Sequence, residues 1–247
     1  MSDIRIEKVD KSFEKTGEVV RPLDLEIPAG QFVAFLGPSG CGKSTLLRMI
    51  AGLERPTHGR IQRDESDRIS FVFQEPQLLP WRTVLENVRL PLELVDERST
   101  QERNELSRQA LIRVGLGEAL DKMPRQLSGG MKMRVSLARA LVTEPRILLL
   151  DEPFGALDEV TRYRLQEDLR SFWQAFRMTV IFVTHSMSEA AFLAERQIVF
   201  SGRPARVVAD RQSPLGIQRG DALRLSPEFA GEVRELQQKF RSNEEYP

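Results

Sequence analysis

The segment 37–45 constrains the fold of this chain more than any other stretch of its sequence. It reads GPSGCGKST and fits the phosphate-loop pattern, in which four residues separate a glycine from a Gly-Lys-Ser/Thr triplet. A short apolar run over 31–36 comes before it, and a helix-forming run over 46–51 follows it. We therefore predict a strand, a phosphate-binding loop and a helix in that order, a unit of parallel α/β sheets.

The loop has the chemistry of a polyphosphate site. Glycines let the backbone turn tightly with its amide N–H groups pointing inward, and the following helix adds unpaired amides and the positive end of its dipole. We expect Lys43 to reach the outer phosphates and the Ser44 hydroxyl to ligate Mg²⁺. A glycine-rich turn without a ligand is the alternative, which the flanking runs and four further motifs disfavour. The residues predicted to contact ATP here are Gly37, Pro38, Ser39, Gly40, Cys41, Gly42, Lys43, Ser44 and Thr45.

Composition argues against several classes of protein. The 247 residues suit one large domain or a core with an inserted subdomain. The 36 basic and 36 acidic side chains cancel, which disfavours a nucleic-acid partner bound through bulk positive charge. No apolar run approaches the roughly 18–20 residues that span a bilayer, so we expect work at a membrane to depend on a partner. The single cysteine, Cys41, favours a reducing compartment, and we expect its thiol to be open to alkylation and protected by ATP.

Periodicity predicts the order of the elements. Residues 3–9 and 23–27 alternate between apolar and polar side chains, which indicates half-buried antiparallel strands ahead of the loop. Between 76 and 143, capping boxes predict helix starts at Thr83 and Ser99, and no clear strand is seen. The predicted α/β fold has a nucleotide-binding core over 1–75 and 144–210, an inserted helical subdomain over 76–143 and a helical tail over 211–247.

Two adjacent carboxylates follow a run of four consecutive aliphatic residues. Four aliphatic residues, 147–150, predict a strand buried on both faces, as in the centre of a parallel sheet. Asp151 and Glu152 come next, at the strand end where α/β sheets place their ligands. Facing a phosphate loop, Asp151 could hold Mg²⁺ and Glu152 could activate an attacking water as a general base. A solvated pair of acids is the alternative.

Gln74 and His185 also stand at the ends of predicted strands. The Gln74 amide oxygen could touch Mg²⁺ and the attacking water, and the His185 imidazole could bond the γ-phosphate and steady Glu152. Each residue alone would more often be a solvated glutamine or a structural histidine. Ser186 and Glu189 predict a further capping box directly after the histidine.

The segment 127–131, Leu-Ser-Gly-Gly-Met, opens another helix. Ser128 suits its N-cap, and Gly129 and Gly130 leave the first amides open to a phosphate. A chain with one phosphate loop does not need a second such site for the same nucleotide. We therefore expect a dimer in which each copy offers this helix start to the nucleotide held by its partner.

Over about residues 3–210, the chain resembles the ATP-binding-cassette (ABC) ATPases. The resemblance is carried, in order, by GPSGCGKST, Gln74, LSGGM, ILLLDEP, Ala156-Leu157-Asp158 and His185. It implies a P-loop NTPase with a RecA-like core, an antiparallel β subdomain and an inserted helical subdomain. It also implies that Phe13 stacks on adenine and that Asp158 couples the two sites of a dimer, in which two such domains sandwich two ATP molecules and drive a pair of membrane subunits.

A narrower resemblance is to the nitrate/sulfonate/taurine importer ATPases. It rests on LLPWRTV at 78–84, on Met131 in LSGGM at 127–131, which we call the signature segment, and on PFGALD at 153–158. It implies import of a small anionic solute at the cytoplasmic face of the inner membrane. The implied partners are a second copy or a paralogous ABC ATPase, two transmembrane permease subunits and, indirectly, a solute-binding protein. An exporter or lipid-transporter subunit and a non-transport ABC ATPase are the alternatives.

The loop 75–82 follows Gln74 and carries Leu78, Leu79 and Trp81. We expect these side chains to line a groove for a permease helix, although each could instead fold onto its own subdomain.

The sequence departs from the ABC pattern in a few places. The family usually has a tyrosine where Phe13 stands and an aspartate where Ser186 stands. Phenylalanine stacks as well as tyrosine, and serine caps a helix as well as aspartate. No departure touches Lys43, Glu152 or His185, so we expect hydrolysis to be intact.

Overall fold

The computed structural model describes residues 4–95, 97–155 and 157–241. Asp3 of the first predicted strand, Ala156 of the Ala156-Leu157-Asp158 motif and the end of the predicted tail lie outside these ranges. The chain divides into two compact units, one made of the residues up to Asp67 and from Trp173 onward, the other of Arg68–Phe172. The predicted division into core, helical subdomain and tail has other boundaries and stays a prediction.

The described strands are β1 (Ile4–Phe13), β2 (Gly17–Ile27), β3 (Phe32–Leu36), β4 (His58–Gln62), β5 (Ile69–Val72), β6 (Ile147–Asp151), β7 (Thr179–Thr184), β8 (Arg196–Phe200) and β9 (Val207–Gln212). The described α-helices are α1 (Lys43–Ala51), α2 (Val84–Val95), α3 (Thr100–Arg113), α4 (Gly129–Leu141), α5 (Glu159–Phe176), α6 (Met187–Leu193), α7 (Asp221–Arg224) and α8 (Pro227–Arg241). Among the described residues, no helix combines the length and the apolarity that crossing a membrane requires.

The first unit contains an antiparallel sheet in the order β2-β1-β4. Ile6 of β1 pairs with Leu25 on one side and with Ile61 on the other. Burial alternates at Ile4 and Ile6 of β1 and at Leu23, Leu25 and Ile27 of β2, and a bulge after Ile6 shifts it to Val9. The predicted antiparallel strands are confirmed as a sheet that covers the core with one face.

The first unit also contains a parallel arrangement, in which β3 lies between β7 and β8, and β9 runs antiparallel to β8. All five residues of β3 and all six of β7 are buried, as expected for strands covered on both faces. Phe35 packs edge-on against Phe200 at 5.2 Å between ring centroids. Trp173 does the same against Phe32 at 5.9 Å, while its Nε1 donates to the Gly30 carbonyl oxygen at 2.9 Å.

The second unit pairs β5 and β6 in parallel and contains α2, α3 and α4. These helices bury a shared apolar cluster, and the members with zero exposure are Val84, Val88, Leu111 and Val135.

The predicted capping boxes at the starts of α2 and α3 are confirmed. The Ser99 hydroxyl accepts from the Glu102 amide at 3.3 Å, and the Glu102 carboxylate accepts from the Ser99 amide at 2.8 Å. Thr83 and Glu86 exchange the same bonds at 3.2 and 2.7 Å. Each box satisfies two amides that the helix itself cannot pair.

Candidate functional site

The phosphate loop lies in the first unit, between β3 and α1. Gly42 is the N-cap of α1 with a φ of 121°, and a Cβ there would lie 2.7 Å from the Val19 carbonyl oxygen on β2. Only glycine fits this position, because the conformation and the close approach both exclude a side chain. Gly42 has no side chain to cap the first helical turn, and Ser44 and Thr45 lie half-buried on that turn. This geometry is that of an anion site.

Lys43 is held over the loop by the loop itself. Its side chain is buried, and its Nζ donates to the carbonyl oxygens of Gly37 at 2.8 Å and Pro38 at 2.6 Å. The ammonium group is thus already fixed by the loop backbone, and a phosphate oxygen would have to take the place of these carbonyls. Cys41 lies 3.7 Å from the same Nζ and is only 1% exposed. The expectation that this thiol is open to alkylation is therefore wrong, because the folded loop already covers it.

The phosphate loop and His185 follow the ends of two neighbouring strands, at the same edge of the sheet. Leu36, the last residue of β3, pairs with Thr184, the last residue of β7. Gly37 and His185 therefore follow neighbouring strands at the same level, and His185 is exposed. The structure thus brings together two of the predicted site segments within the first unit.

A small hydrogen-bond network, here called the histidine lock, surrounds the backbone of His185. The Thr184 hydroxyl donates to the Glu189 carboxylate at 2.6 Å and accepts from the Ser186 amide at 3.0 Å. The Ser186 hydroxyl accepts from the Glu189 amide at 3.3 Å. The predicted capping box is therefore half right: Ser186 caps α6, but its own amide bonds the Thr184 hydroxyl rather than the Glu189 carboxylate.

Phe13 stands at the end of β1 with 37% of its surface exposed. The Nζ of Lys11 lies 4.6 Å from the ring centroid, in cation–π range. That ammonium group is fixed by the Glu54 carboxylate at 2.7 Å and the Arg55 carbonyl oxygen at 2.8 Å, and the Lys11 bond lowers the pKa of Glu54. Sequence reasoning missed Lys11, because nothing in the spacing links it to residues more than forty positions away.

The second unit contains the two acids and Gln74. Asp151 is the last residue of β6 and is buried, and Glu152 follows it with a left-handed φ of 45°. Such a backbone conformation is costly for a non-glycine residue, and it clusters at functional sites. Val72 pairs with Leu150, so Gln74 and Glu152 each come two residues after paired positions on neighbouring strands. Both therefore leave the same edge of this strand pair.

The signature segment is a helix start, as predicted. The Ser128 hydroxyl accepts from the Met131 amide at 3.3 Å and caps α4. Ser128 and Gly129 are exposed, and a Cβ on Gly129 would meet nothing within 4 Å. Gly130 instead faces α5, because its Cβ would lie 3.2 Å from a Thr161 methyl group.

Asp158 lies close to this segment through the start of α5. Its carboxylate accepts from the Thr161 amide at 3.0 Å, and this bond lowers the pKa of Asp158. Thr161 is the residue that faces Gly130. The second unit therefore brings Asp158 and the signature segment together.

Arg139 of α4 is a residue that sequence reasoning missed. Its Nη1 donates to the Gln77 carbonyl oxygen and its Nη2 to the Pro76 carbonyl oxygen, both at 2.9 Å, and burial lowers the pKa of Arg139. The helix that begins at the signature therefore holds the loop that follows Gln74. No sequence signal marks this contact, since the partners are backbone carbonyls of a distant loop.

Beside this contact the second unit has an apolar groove of about 540 Å³. Leu78 packs against the apolar cluster, and the backbone of Leu79 is bonded to the Asn87 amide group. Trp81 is 71% exposed. None of these three residues lines this groove, and Leu78 and Leu79 fold onto their own unit. That the loop docks a permease helix stays a prediction. The lining residues are Arg68, Ile69, Ser70, Phe71, Phe73, Leu90, Pro91, Leu94, Val95, Arg139, Ala140 and Thr143.

Known proteins with similar sequences agree on the family. The model of the ABC transporter family matches residues 20–155. The aliphatic sulfonates import ATP-binding protein SsuB of Zymomonas mobilis is 46% identical over 218 residues, which are 86% of this chain and 87% of that protein. The bicarbonate transport ATP-binding protein CmpD of Synechococcus elongatus is 43% identical over 215 residues, 83% of this chain and 77% of that protein.

Among solved structures, a dimeric ATP-binding cassette in a post-hydrolysis state with ADP and Pi has a TM-score of 0.78 to this chain. The two chains are 32% identical, and the match covers 86% of this chain and 100% of the other. The predicted P-loop NTPase fold is confirmed. The chain therefore belongs to the ABC transporter family, as one of its ATP-hydrolysing nucleotide-binding subunits.

Proposed function

We propose that this subunit hydrolyses ATP by in-line attack of a water on the γ-phosphate, with Glu152 as the general base. The observation that carries the assignment is the pairing of strand ends. Gly37 and His185 share one edge in the first unit, and Gln74 and Glu152 share one in the second. Lys43 and the loop amides balance the charge of the phosphates, while His185 and Gln74 orient the water.

The oxygen donors Ser44, Gln74 and Asp151 would hold Mg²⁺. A hydroxyl, an amide oxygen and a carboxylate are donors that suit this ion, and Asp151 is buried at a strand end. Bound Mg²⁺ supplies charge neutralisation of the β- and γ-phosphates. Phe13 offers the face not covered by Lys11 to adenine, with Lys11 fixing the ring from the other side.

The nucleotide held by a second copy would contact Ser128, Gly129 and Gly130. Their amides begin a helix whose N-cap is exposed, so the positive end of α4 is open to a phosphate from outside the chain. Asp158 at the neighbouring start of α5 would join the two sites.

The subunit would drive import of a small anionic solute. Aliphatic sulfonates and bicarbonate are the solutes named for relatives that are 46% and 43% identical. We place the protein at the cytoplasmic face of the membrane, bound to two permease subunits that receive solute from a binding protein. A permease helix would occupy the apolar groove, where Arg139 links the occupant to both the signature helix and the loop after Gln74.

The replacement Glu152→Gln tests the mechanism. The amide cannot take a proton from water, so we expect steady-state hydrolysis to fall by about 100-fold or more. ATP binding should be retained, and ATP should trap a dimer, seen by size-exclusion chromatography with ATP but not with ADP. Glu144→Gln is a matched control on an exposed loop and should hydrolyse ATP normally. Near-normal turnover by Glu152→Gln would refute the assignment of the base.

A further inference from the structure

The last turn of α6 is held by a buried arginine from the C-terminal segment. Arg219 is 8% exposed, and its Nη1 donates to the carbonyl oxygens of Ala191, Phe192 and Ala194 at 2.8, 3.1 and 2.9 Å. The last carbonyls of a helix have no intrahelical partner, and a cation there is favoured by the helix dipole. Arg219 therefore acts as a C-terminal cap supplied from outside the helix.

The other donors of Arg219 bond the segment from which it comes. Its Nε donates to the Gly216 carbonyl oxygen at 2.8 Å, and its Nη2 to the Leu215 carbonyl oxygen at 3.0 Å and the Ser213 hydroxyl at 3.2 Å. Burial lowers the pKa of Arg219 to about 10. Every hydrogen-bond partner is neutral, and the charges of Glu195 and Glu232 offset part of the cost of burying the cation. The segment 213–219 and the end of α6 are consequently fixed as one body.

One further contact joins β9 to α8 within the C-terminal segment, and another joins that segment to α6. The Arg211 guanidinium on β9 bonds both carboxylate oxygens of Glu232 on α8, at 2.8 and 3.0 Å, and that carboxylate is fully buried. The Arg224 guanidinium carbon lies 3.5 Å from the centroid of the Phe192 ring on α6, a cation–π contact. The C-terminal segment therefore contacts the end of α6 through Arg219 and its side through Arg224.

The histidine lock holds the N-terminal end of α6. The helix has seven residues and is only about 10 Å long. Ser186 caps its first turn, and Thr184 and Glu189 tie that cap to the end of β7. Because both ends of so short a helix are bonded, a shift at Ala194 is passed to the backbone of His185.

We propose that Arg219 is a positioning residue for His185, through which the C-terminal tail sets the place of the imidazole during hydrolysis. This inference rests on the role of His185 given under Proposed function. The tail is then part of the hydrolytic apparatus without touching nucleotide.

The replacement Arg219→Lys tests the proposal. Lysine keeps the charge but cannot bond carbonyls in two directions, so α6 should loosen while the fold is retained. We expect kcat for MgATP to fall about 10-fold, with KM changed by less than about 2-fold, because the loss affects alignment rather than binding. Arg196→Lys, which alters an arginine of β8 bonded to Asp210, is the control and should leave kcat unchanged.

A double-mutant cycle with His185→Ala separates positioning from general stability. Single-turnover hydrolysis with enzyme in excess makes the slow variants measurable. If Arg219 acts through His185, Arg219→Lys should have no further effect in the His185→Ala background. The same loss in both backgrounds, or an unchanged kcat in the single variant, would overturn the proposal.

The cycle also distinguishes failure of this proposal from failure of the mechanism. A His185→Ala variant with normal turnover would refute the role of the histidine and the positioning role together. A slow His185→Ala variant with additive effects would refute only the positioning role. If Arg219→Lys does not fold, Arg224→Ala replaces it in the same cycle, with an expected loss of about 3-fold in kcat, and is judged by the same criterion.

Discussion

Lys43 donates to two carbonyl oxygens of its own loop. Other side chains of the site are also bonded to residues close to them in the sequence. Asp158 bonds the start of its own helix, and Glu189 bonds the residue before His185. Lys43 has to exchange its carbonyl partners for phosphate oxygens, whereas groups such as Asp158 and Glu189 keep their partners and need little rearrangement when charge develops on the nucleotide. At the scale of residues, the site is therefore largely preorganised.

The replacement Lys43→Ala should remove both a phosphate ligand and an internal support of the loop. We expect affinity for MgATP to fall by at least about 10-fold, since a charged hydrogen-bond partner is lost. Cys41, which that loop covers, should react faster with a maleimide. Calorimetric titration with a non-hydrolysed ATP analogue and the rate of thiol labelling measure the two effects. Lys15→Ala, at an exposed position, should change neither. Retained affinity in Lys43→Ala would contradict the phosphate-loop assignment.

At the scale of elements, signals that act over a few residues were readable from the sequence. Ser99 and Ser128 cap the predicted helices, and β6 is buried along its whole length. Contacts of arginine side chains with distant backbone were not readable. Arg139 and Arg219 bond carbonyl oxygens, and every residue type has a carbonyl, so no partner pattern marks them. Only half of the capping box predicted at Ser186 forms. The Ser186 amide donates to the Thr184 hydroxyl and not to the Glu189 carboxylate, and the sequence pattern did not reveal this competing acceptor.

The groove beside α2 should bind a permease helix through apolar contact. Leu94 lines it and is 76% exposed, so Leu94→Asp would place a charge where apolar surface has to be buried. We expect co-purification with the co-expressed permease subunits to fall by about 10-fold or more, with ATP binding unchanged. The control is Leu53→Asp at a leucine of the first unit that is 60% exposed. Equal recovery of permease with both variants would exclude the groove as the docking site.

At the scale of the whole molecule, the two kinds of predicted anion site in the chain lead us to expect a dimer. The chain has one phosphate loop, and we propose the exposed start of α4 as a second anion site. The similar cassette with ADP and Pi is dimeric. The motifs allowed us to predict that the phosphate loop of one copy and the start of α4 of another share a nucleotide, because each motif carries its chemistry within a few residues. Spacing alone could not predict that the tail reaches α6, since that contact depends on how β9 and α8 pack.

Mixing two inactive variants tests whether each site is shared between copies. Lys43→Ala damages the loop, and Ser128→Glu places a charge at the signature. A mixed dimer retains one site with both parts intact, so we expect about a quarter of wild-type ATPase activity after mixing, from half of the dimers with one of two sites each. Each variant alone should be nearly inactive. Failure of the mixture to recover activity, with mixed dimers verified by differently tagged chains, would argue that each copy is self-sufficient.

The two bonds from Lys43 to its own loop also bear on selectivity among anions. Any ligand of the ammonium group has to replace hydrogen bonds that are already short, at 2.8 and 2.6 Å. Each bond to a charged group is worth roughly 1.5–3 kcal/mol, so a chloride or a single phosphate gains little by entering. A triphosphate also engages several amides and recovers more than it displaces. We therefore expect the loop to favour triphosphates over small anions.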